Sequence, residues 1–165
     1  MKIRLAQALN SRARLRENMV DLKNRITNNL LVQEGDTPAE QPRDLLELYE
    51  RCAYEYYRLA ADINNANINI RTEYDGVEMS LMEMITLRDR YQTIHKMYKA
   101  AADGLVPSIP RFGRNEIKFV QSMNPDSCRA LANRYAKCVR EIDDKIQMMN
   151  WVTDIDVRIE NDYDE

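Results

Sequence analysis

The sequence predicts an all-α protein: an up-down-up-down four-helix bundle of long antiparallel, coiled-coil-like helices, with a short β-hairpin or strand pair in the loops. Two observations carry this expectation. Apolar residues recur at alternating spacings of three and four through four long stretches. Only four Gly and five Pro occur in 165 residues otherwise rich in Leu, Met, Ala, Arg and Glu, a helix-forming composition. The length suits one domain with a substantial core. Residues 1–152 are therefore expected to form a single bundle domain, and 153–165 an acidic, flexible tail.

The first helix is expected over about residues 2–31, on the seam Leu5, Ala8, Leu15, Met19, Leu22 and Ile26 with Arg12 and Asn29 completing the series. A polar residue on such a seam either fixes register and oligomer state or marks where the seam frays. Next, VQEGDTPAEQP breaks the pattern: Gly35 can take positive φ, Thr37-Pro38-Ala39-Glu40 resembles a capping box, and Pro42 limits any first turn. The second helix follows over about 43–70, on Leu45, Leu48, Cys52, Tyr56, Leu59, Ile63, Ala66 and Ile70.

Asp75-Gly76, inside RTEYDGVEM, is a hairpin signal. Ser80 with Glu83 is a capping box that opens the third helix, which runs to about residue 102 on Met84, Leu87, Tyr91, Ile94, Tyr98 and Ala101. A loop with two prolines and a short extended piece at Ile117, Phe119 and Val120 lead to Asn124-Pro125, an N-cap and first-turn proline. The fourth helix, about 125–152, uses Leu131, Tyr135, Cys138, Ile142, Ile146, Met149 and Val152.

Short connections make successive helices antiparallel, so the loops after the first and third helices share one end of the bundle. That end gathers Asn29, Gln33, Glu34, Asp36, Arg114, Glu116 and Lys118. Such a polar set either binds a small polar ligand or a partner loop, or satisfies itself and pins the two loops. The tyrosines of the second helix, Tyr49, Tyr56 and Tyr57 among them, are read as divided between the core and a subunit interface, with base stacking as the alternative. Trp151, the single tryptophan, anchors a helix end or an interface in this reading.

Several chemistries fit poorly. A di-iron bundle needs Glu-x-x-His pairs, whereas His95 is the only histidine and position 92 is Gln92. Phosphate loops, nucleophile elbows and Cys/His pairs are not visible. Cys52, Cys128 and Cys138 lack metal or disulfide spacing and read as small core residues. No catalytic residue, metal or cofactor is therefore assigned. No apolar run reaches the roughly 18–20 residues of a membrane span, and MKIRLAQALN lacks a secretory apolar block, so a cytoplasmic location is expected. Net charge is −3, but residues 1–25 are basic and DIDVRIENDYDE is acidic. The basic segment is expected to be neutralised by acidic segments of the same or a neighbouring chain, with nucleic acid or anionic lipid as alternatives.

Asn28-Asn29, Val32-Gln33-Glu34-Gly35-Asp36 with Pro38-Ala39-Glu40, Asp75-Gly76, Glu116-Ile117-Lys118-Phe119-Val120, and Ile146-Gln147 with Asn150-Trp151 together resemble the small bacterial septicolysin-like proteins. The resemblance runs along nearly the whole chain. The family name implies a haemolysin, hence membrane activity, for which amphipathic helices would have to settle on a bilayer. The residues themselves favour a self-associating structural or interaction module: a homo-oligomer with a polar loop site for a small ligand or partner. A nucleic-acid-binding helical hairpin, resembling only in architecture the tRNA-binding arm of seryl-tRNA synthetase, is the further alternative.

Overall fold

The computed structural model describes residues 1–104 and 121–158. Among them are four helices, α1 (Leu5–Asn29), α2 (Pro42–Asn69), α3 (Leu81–Gly104) and α4 (Pro125–Val152), and four short strands, β1 (Lys2–Arg4), β2 (Arg71–Tyr74), β3 (Val77–Ser80) and β4 (Asp154–Asp156). The residues group into two compact units: Met1–Ile70 with the chain from Gln147 onward, and Arg71–Ile146. The helices α1 and α2 lie in the first unit, and α3 with most of α4 in the second.

In the first unit α1 packs along α2. The expected seams carry the contact: Leu5, Ala8, Leu22, Leu45, Leu59 and Ile63 are buried, and Arg12 and Asn29 are half-buried in series with them. Leu48 departs from expectation. It is exposed, and Tyr49, one position on, is half-buried instead. The spacing Leu45, Tyr49, Cys52, Tyr56 keeps the stripe closer to the helical period than one through Leu48 does.

The first helix starts at Leu5 rather than residue 2, because Lys2–Arg4 pair antiparallel with Asp154–Asp156. The register explains the exchange of helix for strand: Lys2 faces Asp156, Ile3 faces Ile155 and Arg4 faces Asp154. Two opposite-charge pairs thus flank one apolar pair. Arg4 also forms an ion pair with Asp154 at 3.2 Å and donates to the Val152 carbonyl at 2.6 Å. Part of the basic N-terminal charge is therefore met within the chain. The start of the acidic tail, expected to be flexible, is fixed as a strand with Ile155 buried; residues 159–165 lie outside the described part.

The second unit opens with the expected hairpin, β2 against β3, with Tyr74 opposite Val77. Asp75 and Gly76 both have positive φ, 53° and 75°, the conformation of a two-residue hairpin turn that favours Asp-Gly. Ser80 closes β3 and caps α3 as expected: its Oγ accepts the Glu83 N–H at 3.1 Å, and the Glu83 carboxylate accepts the Ser80 N–H at 2.6 Å. Pro125 opens α4, and the Asn124 side chain accepts the Asp126 N–H at 2.8 Å.

The α3–α4 pair runs antiparallel, since partners descend on one helix as they ascend on the other. His95 Nδ1 bonds the Ala132 carbonyl at 2.8 Å, the Tyr98 and Tyr135 rings stack at 5.9 Å, Tyr91 lies 5.6 Å from Tyr135, and Arg88 reaches Asp143 at 3.4 Å. Met84, Cys128 and Ile142 are fully buried.

Candidate functional site

Of the expected loop site, the structure describes Asn29, Gln33, Glu34 and Asp36. Asn29 ends α1 with both side-chain amide atoms engaged: Nδ2 donates to the Arg25 carbonyl at 2.9 Å, and Oδ1 accepts the Glu40 N–H at 3.1 Å. It works as a staple between helix end and loop. Gln33, Glu34 and Asp36 are exposed around a turn closed by the Asp36 N–H donating to the Gln33 carbonyl at 3.0 Å, with Gly35 at φ +95°. Arg114, Glu116 and Lys118, and the extended piece at Ile117–Val120, lie outside the described residues.

Residues 37–40 are not helical, so the expected capping box at Thr37 does not form. A stronger partner takes Glu40. Its two oxygens accept bonds from Arg25, one of them from Nε at 3.0 Å, and Arg25 also pairs with Asp21 at 3.4 Å. A forked guanidinium–carboxylate contact outweighs a cap bond to a neutral N–H. The bond from Arg25, opposed by partial desolvation, holds the Glu40 carboxyl below the usual glutamate range, while Glu40 holds Arg25 in its charged form. Sequence reading found Asn29 but missed Arg25, although the Asp21–Arg25 spacing of four was a visible helix-face pair.

Beside this staple, one side of the α1–α2 pair holds a groove of about 400 Å³. Leu15, Leu22, Leu48 and Cys52 supply apolar walls, and Asn18, Arg51 and Glu55 are among its polar lining residues. The Cys52 thiol donates to the Leu15 carbonyl at 3.4 Å. Burial, then the Glu55 carboxylate, pushes the thiol upward in pKa, so the thiolate needed for nucleophilic or metal chemistry is disfavoured. All three cysteines are free. Among the described residues no group of three or more His, Cys, Asp or Glu side chains is placed to hold a metal ion, and no helix is long and apolar enough to cross a membrane.

The expected interface residues separate by exposure. Tyr49 and Tyr56 are half-buried on the α2 seam side. Tyr57 is 67% exposed and meets the Tyr56 ring edge-on at 5.1 Å; Trp151, in the last turn of α4, is 60% exposed. Val20 on α1 and Leu46 and Ile68 on α2, none of them singled out in the sequence, are also exposed. For Leu46 the signal was present as a second apolar stripe, Leu46, Ala53, Tyr57, Ala60, running beside the main seam of α2.

Four helices and two small antiparallel strand pairs make the described part a mostly helical protein. The chain belongs to the family of unknown function DUF6847, whose pattern matches residues 12–155. It is also similar to a functionally unknown conserved protein from Corynebacterium diphtheriae, known from a crystal structure: identity is 30% over 94% of this chain and 100% of the other, with a TM-score of 0.85. No curated protein matches the chain.

Proposed function

We propose that the protein is a self-associating interaction module of the cytoplasm, working through helix surfaces, with the loop around Gln33, Glu34 and Asp36 as a subsidiary contact for a small polar ligand or partner. The observation that carries this reading is the concentration of large exposed apolar side chains on the α1–α2 pair, with Val20, Leu46, Tyr54, Tyr57 and Ile68 all at or above two-fifths exposure. Scattered apolar residues are ordinary on a protein surface, but a contiguous stripe marks a contact surface. Sedimentation velocity over a dilution series from micromolar to nanomolar protein tests it. A concentration-dependent shift to a larger species is expected, and a single monomeric boundary throughout overturns the proposal.

A second reading rests on Leu30, Leu31 and Val32, consecutive and exposed just beyond α1. Three adjacent apolar side chains could dip into a bilayer surface, in keeping with the resemblance to septicolysin-like proteins. Release of dye from neutral or anionic vesicles at micromolar protein, lost in a Leu31→Asp variant, is the result this reading requires.

A further inference from the structure

The α1–α2 pair has two sides, and the groove identifies one of them. Its lining residues Asn18, Asp21 and Arg25 sit to one rotational side of the α1 seam, and Leu48, Arg51 and Glu55 to the matching side of the α2 seam. In an antiparallel pair, residues displaced in the opposite sense from both seams share the other side. Those residues are Leu9, Ala13 and Val20 on α1, and Leu46, Ala53 and Tyr57 on α2.

This second side presents exposed apolar side chains graded in size, with Arg16 and Glu50 among them. Val20 is 56% exposed, Leu46 46% and Tyr57 67%. The bond between Cys52 and Leu15 fixes the level of one helix against the other. Counting outward from it, Val20 lies level with Leu46, Ala13 with Ala53, and Leu9 with Tyr57. Bulky pairs therefore stand at both ends and small alanines in the middle, where backbones can approach closely.

We infer that this side is the contact between two copies of the chain, related by a two-fold axis parallel to the helices so that α1 of each copy lies on α2 of the other. The inference rests on the self-association proposed above and names its surface and symmetry. Charge selects this arrangement. α1 carries five basic residues, Arg12, Arg14, Arg16, Lys23 and Arg25, against Glu17 and Asp21, whereas α2 carries five acidic residues against three basic ones. A perpendicular axis would instead set α1 on α1, basic against basic, at a cost. With the parallel axis, Val20 meets Leu46 of the second copy, Ala13 meets its Ala53, and Arg16 comes level with its Glu50. This is the self-complementarity an isologous contact requires. The result is an antiparallel four-helix bundle completed across two chains.

The area is sufficient. Helices of 25 and 28 residues give a face roughly 40 Å long and about 20 Å wide, on the order of 800 Å², which is the share per partner of a standard stable interface.

Two measurements on the full chain test the inference. Val20→Cys and Leu46→Cys are made separately in a chain whose Cys52, Cys128 and Cys138 are replaced by alanine, then oxidised alone and mixed. A disulfide-linked dimer is expected from the mixture and not from either variant alone. In the chain with its native cysteines, Tyr57→Glu is expected to raise the dimer dissociation constant by about 30-fold or more, as replacing a buried aromatic contact with an unpaired charge does, with helix content unchanged by circular dichroism. Cross-linking of Val20→Cys with itself as strongly as in the mixture overturns the symmetry. An associating native chain whose Tyr57→Glu variant sediments identically overturns the surface while leaving self-association standing. A monomeric native chain removes both.

Discussion

Asp62, 7% exposed on α2, clamps Arg158 through both carboxylate oxygens: Oδ2 accepts the Arg158 backbone N–H at 3.2 Å, and Oδ1 accepts Nε and Nη2 at 3.1 and 3.0 Å. One buried side chain thereby fixes backbone and guanidinium together, just beyond β4.

Asp62→Ala should release that segment without unfolding the helices. The Arg158 guanidinium is largely exposed, so only a modest part of the ion pair's nominal strength is realised. Hydrogen exchange at the Arg158 amide is expected to rise about tenfold, equivalent to roughly 1.4 kcal/mol, while amides in the middle of α2 keep their protection. Unchanged exchange at Arg158 would show that the clamp contributes nothing.

Asn29→Ala removes the acceptor of the Glu40 N–H and the donor to the Arg25 carbonyl. A loss of about 1 kcal/mol in urea unfolding is expected, since two backbone groups lose their partners together. Asn29→Asp keeps the acceptor and should recover part of it. Equal midpoints for all three proteins would remove the stapling role.

Much of this was legible in the sequence, because helices and hairpin depend on local pattern: the four helices and most of their seam residues, the Asp75-Gly76 turn, and the Ser80 and Asn124 caps can be read from residues within a few positions of one another, although Leu48 and Val152, placed on seams, are exposed. The contacts that escaped are those made at a distance. Lys2 opposite Asp156 and Asp62 on Arg158 join residues that no window on the chain shows together. Glu40 was misassigned for a related reason: its spacing from Thr37 fits a capping box, but Arg25, fifteen residues away, offers a charged fork that a local pattern cannot weigh. Exposed Val20 and Leu46 were hidden in the sequence because one dominant seam on each helix outweighs a second apolar stripe.

Part of the stability lost in acid should come from two carboxylates. Glu40 is held below its usual range by the Arg25 bond, and Glu83 by the Ser80 N–H and then its hydroxyl. A lowered folded-state pKa means that each group's contribution is fully present above the unfolded value, about 4.3, and is lost as pH falls through the lower folded value. Stability to urea should therefore decline from about pH 5 downward. Glu40→Gln should flatten part of that decline and leave stability near neutrality lower. A profile identical to that of the unsubstituted chain would exclude Glu40 as a contributor.

The entry to α3 offers a paired test. Ser80→Ala removes the hydroxyl cap and should cost about 1 kcal/mol. Gly76→Ala forces a β-carbon into positive φ at +75°, at about 1 kcal/mol as well. Each should lower the thermal midpoint by about 2–4 °C, and because the two sites act on different backbone torsions their effects should add. Equal midpoints for Gly76→Ala and the unsubstituted chain would mean that the turn relaxes freely.

The pairing of Lys2–Arg4 with Asp154–Asp156 also sets an order of events in time. α1 and α2 can dock through a short connection as soon as both have left the ribosome, whereas β1 must wait until β4 is made. Closing so long a loop carries a large entropic cost that local helix pairing does not. The strand pair should therefore form last in refolding, and until it does, two complementary charged segments stay available to the wrong partner, including their counterparts on another nascent chain.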